Sequence, residues 1–272
     1  MQSRKRADIL LVERGLVSTR AQAQGLILSG QVATDGQSVL KAGQLLSCDA
    51  NLSLKAVNHP FVSRGGVKLA KALQQFTIEP MGKVCLDVGA STGGFTDCLL
   101  QNGADLVYAV DVGYGQLAWK LRQDSRVICL ERKNFRHLSK DEIQHPIELA
   151  VVDVSFISLA MIFPRLSDFL SPEGATITLV KPQFEVGRGK VGKGGVVRDA
   201  TLHIEVLLRL KNTAANLGFT LTALDWSPIR GPQGNIEYLA LWQQSLESLV
   251  VHETDIASTV ALAHNFFIME SH

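Results

Sequence analysis

The sequence predicts an α/β fold, in which a small α+β module precedes a mostly parallel sheet covered by helices on both faces. From Val62 onward, strand and helix patterns alternate along the chain, as is typical of such sheets. A glycine-rich turn follows the first buried strand pattern of this region. The chain has 272 residues, 46% of them hydrophobic, which suffices for one large domain and one small domain.

The small module is predicted over residues 1–57. Two short helix patterns open it, and Ser18 can cap the second one. A strand over residues 30–34 then leads through the Asp35-Gly36 turn into a second strand over residues 38–40. The apolar face of the first helix consists of Ala7, Leu10 and Leu11.

Basic residues are concentrated at the start of the chain, although the net charge is only +1. Two interpretations stay open for them: an ordinary solvated helix face, or the RNA-binding surface of a compact module. The candidate RNA contacts are Arg4, Arg6, Arg14 and Arg20.

A linker is predicted over residues 58–62, where Pro60 disfavours helix at His59. The large domain follows over residues 63–244. Its later strands are predicted at residues 126–130, 148–152, 175–180, 219–226 and 236–242. A tail over residues 245–272 has helix-like apolar spacing and no assignable role.

The glycine-rich turn indicates a ligand site. The apolar run 84–86 leads into Gly89, Gly93 and Gly94, and the next strand, 106–110, ends in Asp111. An acidic residue roughly twenty positions after such a turn can bind the hydroxyls of a ribose. This geometry alone does not choose the ligand, but a dinucleotide site favours G-x-G-x-x-G, whereas the spacing here is G-x-x-x-G-G.

Several classes of protein are disfavoured. No apolar run reaches the roughly 18 residues that span a bilayer, and no signal-type apolar region follows the basic N-terminus. We therefore expect a cytoplasmic protein without stable membrane association. The cysteines show no C-x-x-C spacing, which favours reduced, packed thiols over a metal site or disulfides.

Long strings of residues resemble known families. The glycine spacing resembles motif I of class I methyltransferases, which bind S-adenosylmethionine, and the first 36 residues resemble the S4 domain. Residues 4–242 resemble the TlyA (haemolysin A-like) family of S4-domain-containing, FtsJ-type ribosomal RNA methyltransferases. The strings that carry this resemblance are residues 62–69, 111–119, 153–158, 180–187 and 234–238.

The resemblance implies 2′-O-methylation of cytidine in ribosomal RNA or assembled ribosomal subunits, and it leaves the oligomeric state open. It implies a Rossmann-like class I methyltransferase sheet of seven strands, whose last hairpin adds one antiparallel strand, behind an S4-type RNA-binding domain. The residues it places around S-adenosylmethionine are Asp87, Gly89, Ala90, Ser91, Gly93, Gly94, Phe95, Asp111 and Asn134.

Four polar residues match the Lys-Asp-Lys-Glu tetrad of 2′-O-methyltransferases: Lys68, Asp153, Lys181 and Glu237. A ribose hydroxyl is a poor nucleophile, so it must be aligned with the methyl donor and helped to lose its proton. We assign this steering and deprotonation to Lys181 and expect the other three to orient the reactants. Which lysine loses its proton stays open.

A glycine-rich, basic segment over residues 187–198 follows Lys181. It resembles a lid that closes over RNA; a flexible, solubilising loop is the alternative. Further candidate RNA contacts are Arg64, Arg188, Lys190, Lys193 and Arg198. Two other functions are kept: a haemolysin-type membrane-active protein, and an RNA-binding protein with an inactive methyltransferase domain. The intact tetrad argues against the second.

Overall fold

The computed structural model describes residues 4–17, 19–28, 30–54, 59–187, 189–244 and 250–269. Some predicted features lie outside these residues: the helix cap Ser18, the end of the small module with the first linker residue (55–58), the candidate RNA contact Arg188 and the start of the tail (245–249).

The N-terminal module packs two helices against short antiparallel strands. One strand pair joins β1 to β4, and a second group has the order β3-β2-β5. Its separate core includes Leu11, Ile27 and Val32, each at most 1% exposed. Its elements are β1 (Arg4–Arg6), α1 (Ala7–Glu13), α2 (Arg20–Leu28), β2 (Val32–Thr34), β3 (Gln37–Ser38), β4 (Leu45–Ser47) and β5 (Leu52–Leu54).

Seven of the described strands form the large sheet, in the order β11-β12-β10-β9-β6-β7-β8. β12 runs antiparallel to both of its neighbours, β10 and β11, and the other pairings in this sheet are parallel, so the predicted fold class is confirmed. The bounds are β6 (Val84–Val88), β7 (Leu106–Asp111), β8 (Val127–Glu131), β9 (Ile147–Val152), β10 (Leu170–Val180), β11 (Phe219–Trp226) and β12 (Tyr238–Gln244).

Helices cover both faces of this sheet. They are α3 (Gly65–Phe76), α4 (Gly94–Gln101), α5 (Trp119–Arg122), α6 (Phe163–Leu166), α7 (Pro182–Glu185), α8 (Ala200–Ala215) and α9 (Glu253–Met269). Short 3-10 turns lie at Phe135–His137, Lys140–Glu142, Leu159–Met161 and Lys193–Gly195.

The central strands are apolar at nearly every position because both of their faces are buried. In β9, Ala150 and Val152 enter one core cluster, while Leu149 and Val151 enter the other, and all four are fully buried. This alternation follows the two-residue period of a strand. It explains why the sequence shows continuous apolar runs here.

The antiparallel strand β12 brings its own beginning to the edge where the parallel strands end. Val180, the last residue of β10, pairs with Tyr238, the first residue of β12. The predicted strand over residues 236–242 was placed two residues too early. Glu237 therefore precedes the strand, and its carbonyl accepts a hydrogen bond from the Ser227 amide at 2.8 Å.

A buried histidine joins helix α8 to the strand and loop beside this edge. His203 is fully buried, its Nδ1 lies 2.7 Å from the Tyr238 hydroxyl, and its Nε2 lies 3.0 Å from the Val197 carbonyl. A carbonyl can only accept, so Nε2 carries the proton and Nδ1 accepts. Nε2 of His264, on α9, lies 3.3 Å from the same Nδ1. Burial lowers the pKa of His203 to about 4.

Within the residues described, no helix combines the length and apolarity needed to cross a bilayer.

We predict that His203 makes the fold sensitive to acid. Because its pKa in the folded protein lies below the ordinary value of 6.5, its contribution to stability is complete above pH 6.5 and is lost as the pH falls toward 4. Over this range, His203→Gln should remove roughly 3 kcal/mol of the pH-dependent change in the free energy of unfolding. Urea denaturation at several pH values measures this change.

The exposed His252 supplies the matched control, His252→Gln. Equal acid sensitivity in wild type and His203→Gln would show that His203 does not set this dependence.

Candidate active site

Four segments bring two lysine–carboxylate pairs to the same edge of the sheet. Nζ of Lys68, on α3, lies 2.5 Å from Oε2 of Glu237. Nζ of Lys181, directly after β10, lies 2.6 Å from Oδ1 of Asp153, which follows β9. The four side chains predicted from the sequence thus stand as two adjacent ion pairs.

The electrostatics of the second pair favour its charged form. Burial lowers the pKa of Lys181, but the nearby carboxylates of Asp153 and Glu237 outweigh burial and raise it above the ordinary value. For Asp153, burial raises the pKa, but the charges of Lys181 and Lys68 lower it overall. Lys181 is therefore an ammonium at neutral pH in the protein alone.

A row of cations on helix α3 attaches this helix to the segment that begins at the end of β11. Arg64, Lys68 and Lys71 recur at the spacing that places side chains on one helix face. Arg64 donates to the Arg230 carbonyl at 3.1 Å, and Lys71 donates to the Trp226 carbonyl at 2.7 Å. The contribution of Lys71 was missed at the sequence level, although the spacing of these cations signals it.

Asn235 ties the glycine-rich segment to the site. It is 1% exposed, its Oδ1 accepts from the Val197 amide at 3.0 Å, and its Nδ2 donates to the Gly195 carbonyl at 2.8 Å. It lies two residues before Glu237. Of the candidate RNA contacts in this segment, Lys190 pairs with Glu205 at 3.0 Å, and Lys193 is exposed in a 3-10 turn.

The loop between β6 and α4 forms a cradle that Asp111 closes. Oδ2 of Asp111 accepts from the Ser91 amide at 2.8 Å, and Oδ1 accepts from the Gly113 amide at 2.6 Å. Each carboxylate oxygen keeps a lone pair for a ligand hydroxyl. Val112, which the sequence analysis did not select, is 72% exposed beside it and offers an apolar surface.

The glycines of this loop are required by the protein's own packing. A Cβ at Gly89 would lie 2.5 Å from the Asp153 carbonyl oxygen, and one at Gly93 would lie 2.2 Å from Cδ1 of Leu121. Both residues have φ near +90°. Packing and a positive φ thus both favour glycine at these two positions.

The other predicted cofactor residues described below are buried, except for Asn134, which is exposed. Asp87 is fully buried; its Oδ2 accepts from the Thr96 hydroxyl at 2.6 Å, its Oδ1 has no hydrogen-bond partner among the described residues, and burial raises its pKa to about 7. Phe95 is 3% exposed and packs in the core. Asn134 is exposed, and its side chain caps a 3-10 turn by accepting from the Arg136 amide. Gly94 and Ala90 are buried.

The basic residues of the N-terminal module have internal partners that the sequence analysis did not predict. Arg6 and Arg20 both bind the fully buried carboxylate of Asp8, at 2.9 and 3.0 Å. Arg14 donates to the carbonyls of Cys48 and Ala50. Arg4 is exposed on β1. The cations therefore also hold the module together, which the interpretation as a solvated face did not include.

Comparisons with known proteins agree with this arrangement. Residues 61–244 match the FtsJ-like methyltransferase family, and residues 5–48 match the S4 domain. The 16S/23S rRNA (cytidine-2'-O)-methyltransferase TlyA of Mycobacterium tuberculosis is 47% identical over 89% of this chain and 90% of its own length. Hemolysin A of Brachyspira hyodysenteriae is 42% identical over 86% of this chain and 98% of its own length.

A solved structure from Streptococcus thermophilus, described as a hemolysin, superimposes with a TM-score of 0.78 at 42% identity. The match covers 100% of this chain and 99% of that one.

Two glycine substitutions separate the effects of packing and backbone strain. Gly93→Ala adds a Cβ into Leu121 at φ +95°, whereas Gly115→Ala meets nothing within 4 Å at φ +70°. We expect Gly115→Ala to lose about 1–2 kcal/mol of stability from backbone strain alone, and Gly93→Ala to lose about 1–3 kcal/mol more from overpacking. Urea denaturation measures both, and equal losses would disprove the packing role of Gly93.

Proposed function

Because the chain belongs to the TlyA family of FtsJ-like methyltransferases with an S4 domain, we propose that it methylates the 2′-hydroxyl of a cytidine in ribosomal RNA, using S-adenosylmethionine. The observation that carries this proposal is the convergence of two lysine–carboxylate pairs at the edge where the strands end. The cytidine and the ribosomal RNA come from the printed activity of the Mycobacterium tuberculosis relative.

The cradle formed by the loop between β6 and α4 suits the cofactor. S-adenosylmethionine, when bound, supplies a methyl group carried on a positively charged sulfonium. Asp111 has lone pairs left for two ribose hydroxyls, and the exposed Val112 offers a surface for a purine. The unpartnered buried Oδ1 of Asp87 supports a polar contact at the same loop.

Lys181 is placed to hold the target hydroxyl. Its ammonium carries three protons; it forms the ion pair with Asp153 and donates one hydrogen bond to the Ser155 hydroxyl at 3.0 Å. A proton of the ammonium that is not used in these contacts can be donated to a ribose oxygen. Such alignment of the acceptor oxygen with the methyl group and the sulfur supplies a large part of the rate enhancement.

The proton of the hydroxyl must leave as the new C–O bond forms. Lys181 is charged in the protein alone, so it cannot accept that proton until it has lost one of its own. The sulfonium of a bound cofactor would add a like charge to the site, and a like charge lowers the pKa of a lysine. We infer that cofactor binding would favour loss of a proton from Lys181 to solvent, so that its free amine could accept the proton of the hydroxyl.

The pair of Lys68 and Glu237 serves orientation. Both side chains are almost fully buried, at 6% and 1% exposure, so their geometry is tightly constrained. Glu237 also contributes to the raised pKa of Lys181. Through the Glu237 carboxylate, this pair therefore helps to keep Lys181 charged.

The S4 domain is proposed to dock ribosomal RNA together with the basic segment that follows Lys181. Phosphate contacts from arginines and lysines add affinity without reading sequence. Arg4 and Lys193 are exposed and suit this role. We further propose that the protein works in the cytoplasm, where its ribosomal substrate lies.

A membrane-lytic function rests on the name of the Brachyspira relative. Lysis of protein-free liposomes by the pure protein would support that function. We expect none, because the described residues include no helix suited to crossing a bilayer.

Calorimetry with S-adenosylmethionine and tritium transfer onto unmodified ribosomal subunits test the proposal together. We expect binding of the cofactor and transfer of the label to ribosomal RNA. Cofactor binding without transfer to either subunit would favour the RNA-binding protein with an inactive domain.

We predict that Lys181→Ala abolishes methyl transfer but keeps both cofactor and RNA binding, because its role arises only in the reacting complex. Lys181→Arg should also lose at least about a hundredfold in rate, since a guanidinium stays protonated and cannot act as a base. Single-turnover tritium transfer measures both. Near-normal transfer by Lys181→Arg would show that a fixed positive charge suffices.

Docking by the S4 domain is tested with Arg4→Glu. Reversing Arg6 and Arg20 instead would leave the buried Asp8 without its cations and destabilise the module. Arg4→Glu should weaken binding to ribosomal RNA and reduce the slope of log affinity against log salt by about 1, without changing cofactor affinity.

Lys83→Glu is the matched control for Arg4→Glu, because Lys83 precedes β6 and so lies at the opposite edge of the sheet. Filter binding across a salt series measures both variants. Equal behaviour of the two would remove Arg4 from the RNA interface.

A further inference from the structure

The two segments that carry Lys181 and Asp153 contact each other at several points. The first is the loop Asp153–Ser158 after β9, and the second is Lys181 with helix α7 after β10. The ion pair of Lys181 with Asp153 opens this junction, and the rings of Phe184 and Phe156 follow with centroids 4.9 Å apart. Glu185 closes it at the far end.

Glu185 is the buried carboxylate of this junction, at 5% exposure. Its Oε2 accepts from the Ser158 hydroxyl at 2.7 Å, and its Oε1 accepts from the Leu159 amide at 2.8 Å. Arg209 of α8 approaches the same Oε2 at 3.6 Å and donates to the Glu185 carbonyl. The loop after β9 is thereby anchored to both α7 and α8.

The loop needs such an anchor because its backbone is strained. Phe156 has φ +65°, in the left-handed region that residues with a side chain disfavour, and its ring is 88% exposed. Strain of this kind costs on the order of 1–2 kcal/mol and persists only where surrounding contacts hold it. The two hydrogen bonds to Glu185 begin two residues after Phe156.

Burial of a carboxylate also has a desolvation cost, which its hydrogen bonds must offset. Burial raises the pKa of Glu185 even though three groups donate to it or neutralise it. An apolar side chain of similar size would fill the space without that desolvation penalty. What an apolar side chain cannot do is fix the Ser158 hydroxyl and the Leu159 amide at once.

We propose that Glu185 is a positioning residue for methyl transfer. It holds the loop in which Asp153 and Ser155 orient the ammonium of Lys181, and it acts through these residues without touching the substrate. This inference rests on the proposed function, because the reaction is what the orientation serves.

Four variants test it: Glu185→Ala, Glu185→Gln, Ser158→Ala and the exposed control Glu173→Ala. We expect Glu185→Ala to lower the single-turnover rate of methyl transfer by ten- to a hundredfold, since small misplacement of reacting groups has effects of this size. The affinities for S-adenosylmethionine and for ribosomal RNA should stay within about twofold to threefold of wild type. Ser158→Ala should show a smaller loss, and Glu173→Ala none.

Glu185→Gln distinguishes positioning from charge. Its amide oxygen can still accept from Leu159, and its amide nitrogen can donate to the Ser158 oxygen. We expect it to restore most of the lost rate. A rate for Glu185→Ala within threefold of wild type would overturn the proposal, as would a Gln variant as slow as the Ala variant. If Glu185→Ala fails to fold, the transfer rates of Glu185→Gln and Ser158→Ala test the proposal in its place.

Hydrogen exchange supplies a readout that does not depend on activity. The hydrogen-bonded amides of residues 159–161 should exchange at least tenfold faster in Glu185→Ala and at the wild-type rate in Glu173→Ala. Unchanged exchange in Glu185→Ala would refute the anchoring of the loop. A wild-type protein that transfers no methyl group would refute the proposed function, and the anchoring would then be judged on exchange alone.

Discussion

The register between β10 and the antiparallel β12 is the constraint on which the site depends. Pairing of Val180 with Tyr238 places the residue after one strand beside the residue before the other. Lys181 and Glu237 meet there, and the parallel neighbour β9 adds Asp153. A parallel last strand would have delivered its carboxyl end, and not its beginning, to this edge. The parallel strands and helix α3 supply three of the four charges. The antiparallel strand β12 adds the fourth, Glu237.

Holding these charges together has an energetic cost that the surrounding structure meets. Desolvation opposes buried ion pairs, so each pair needs tight geometry and further hydrogen bonds. The cations Arg64 and Lys71 fix the helix that carries Lys68, Asn235 fixes the segment before Glu237, and Glu185 fixes the loop after Asp153. The result is that Lys181 is kept charged in the protein alone.

The sequence could predict the sheet because its central strands alternate between two buried faces and therefore appear as continuous apolar runs. It could also indicate the four residues of the tetrad, since the resemblance identifies them by their positions in the sequence. The structure shows that their side chains lie together. It could not predict that Arg20 joins Arg6 at the buried Asp8, because the contact of Arg20 with Asp8 depends on how α1 and α2 pack. Glu185 was missed for the same reason: its partners lie 26 and 27 residues away along the chain.

Mapping of 2′-O-methyl groups at single-nucleotide resolution tests the central claim most directly. Ribosomal subunits that lack the modification would be incubated with the protein, with and without S-adenosylmethionine, and their RNA mapped. The proposed function predicts a new methyl group on the 2′-oxygen of a cytidine, only when protein and cofactor are both present. A methyl group on a base atom, or no new 2′-O-methyl group in either subunit, would contradict this account of the site.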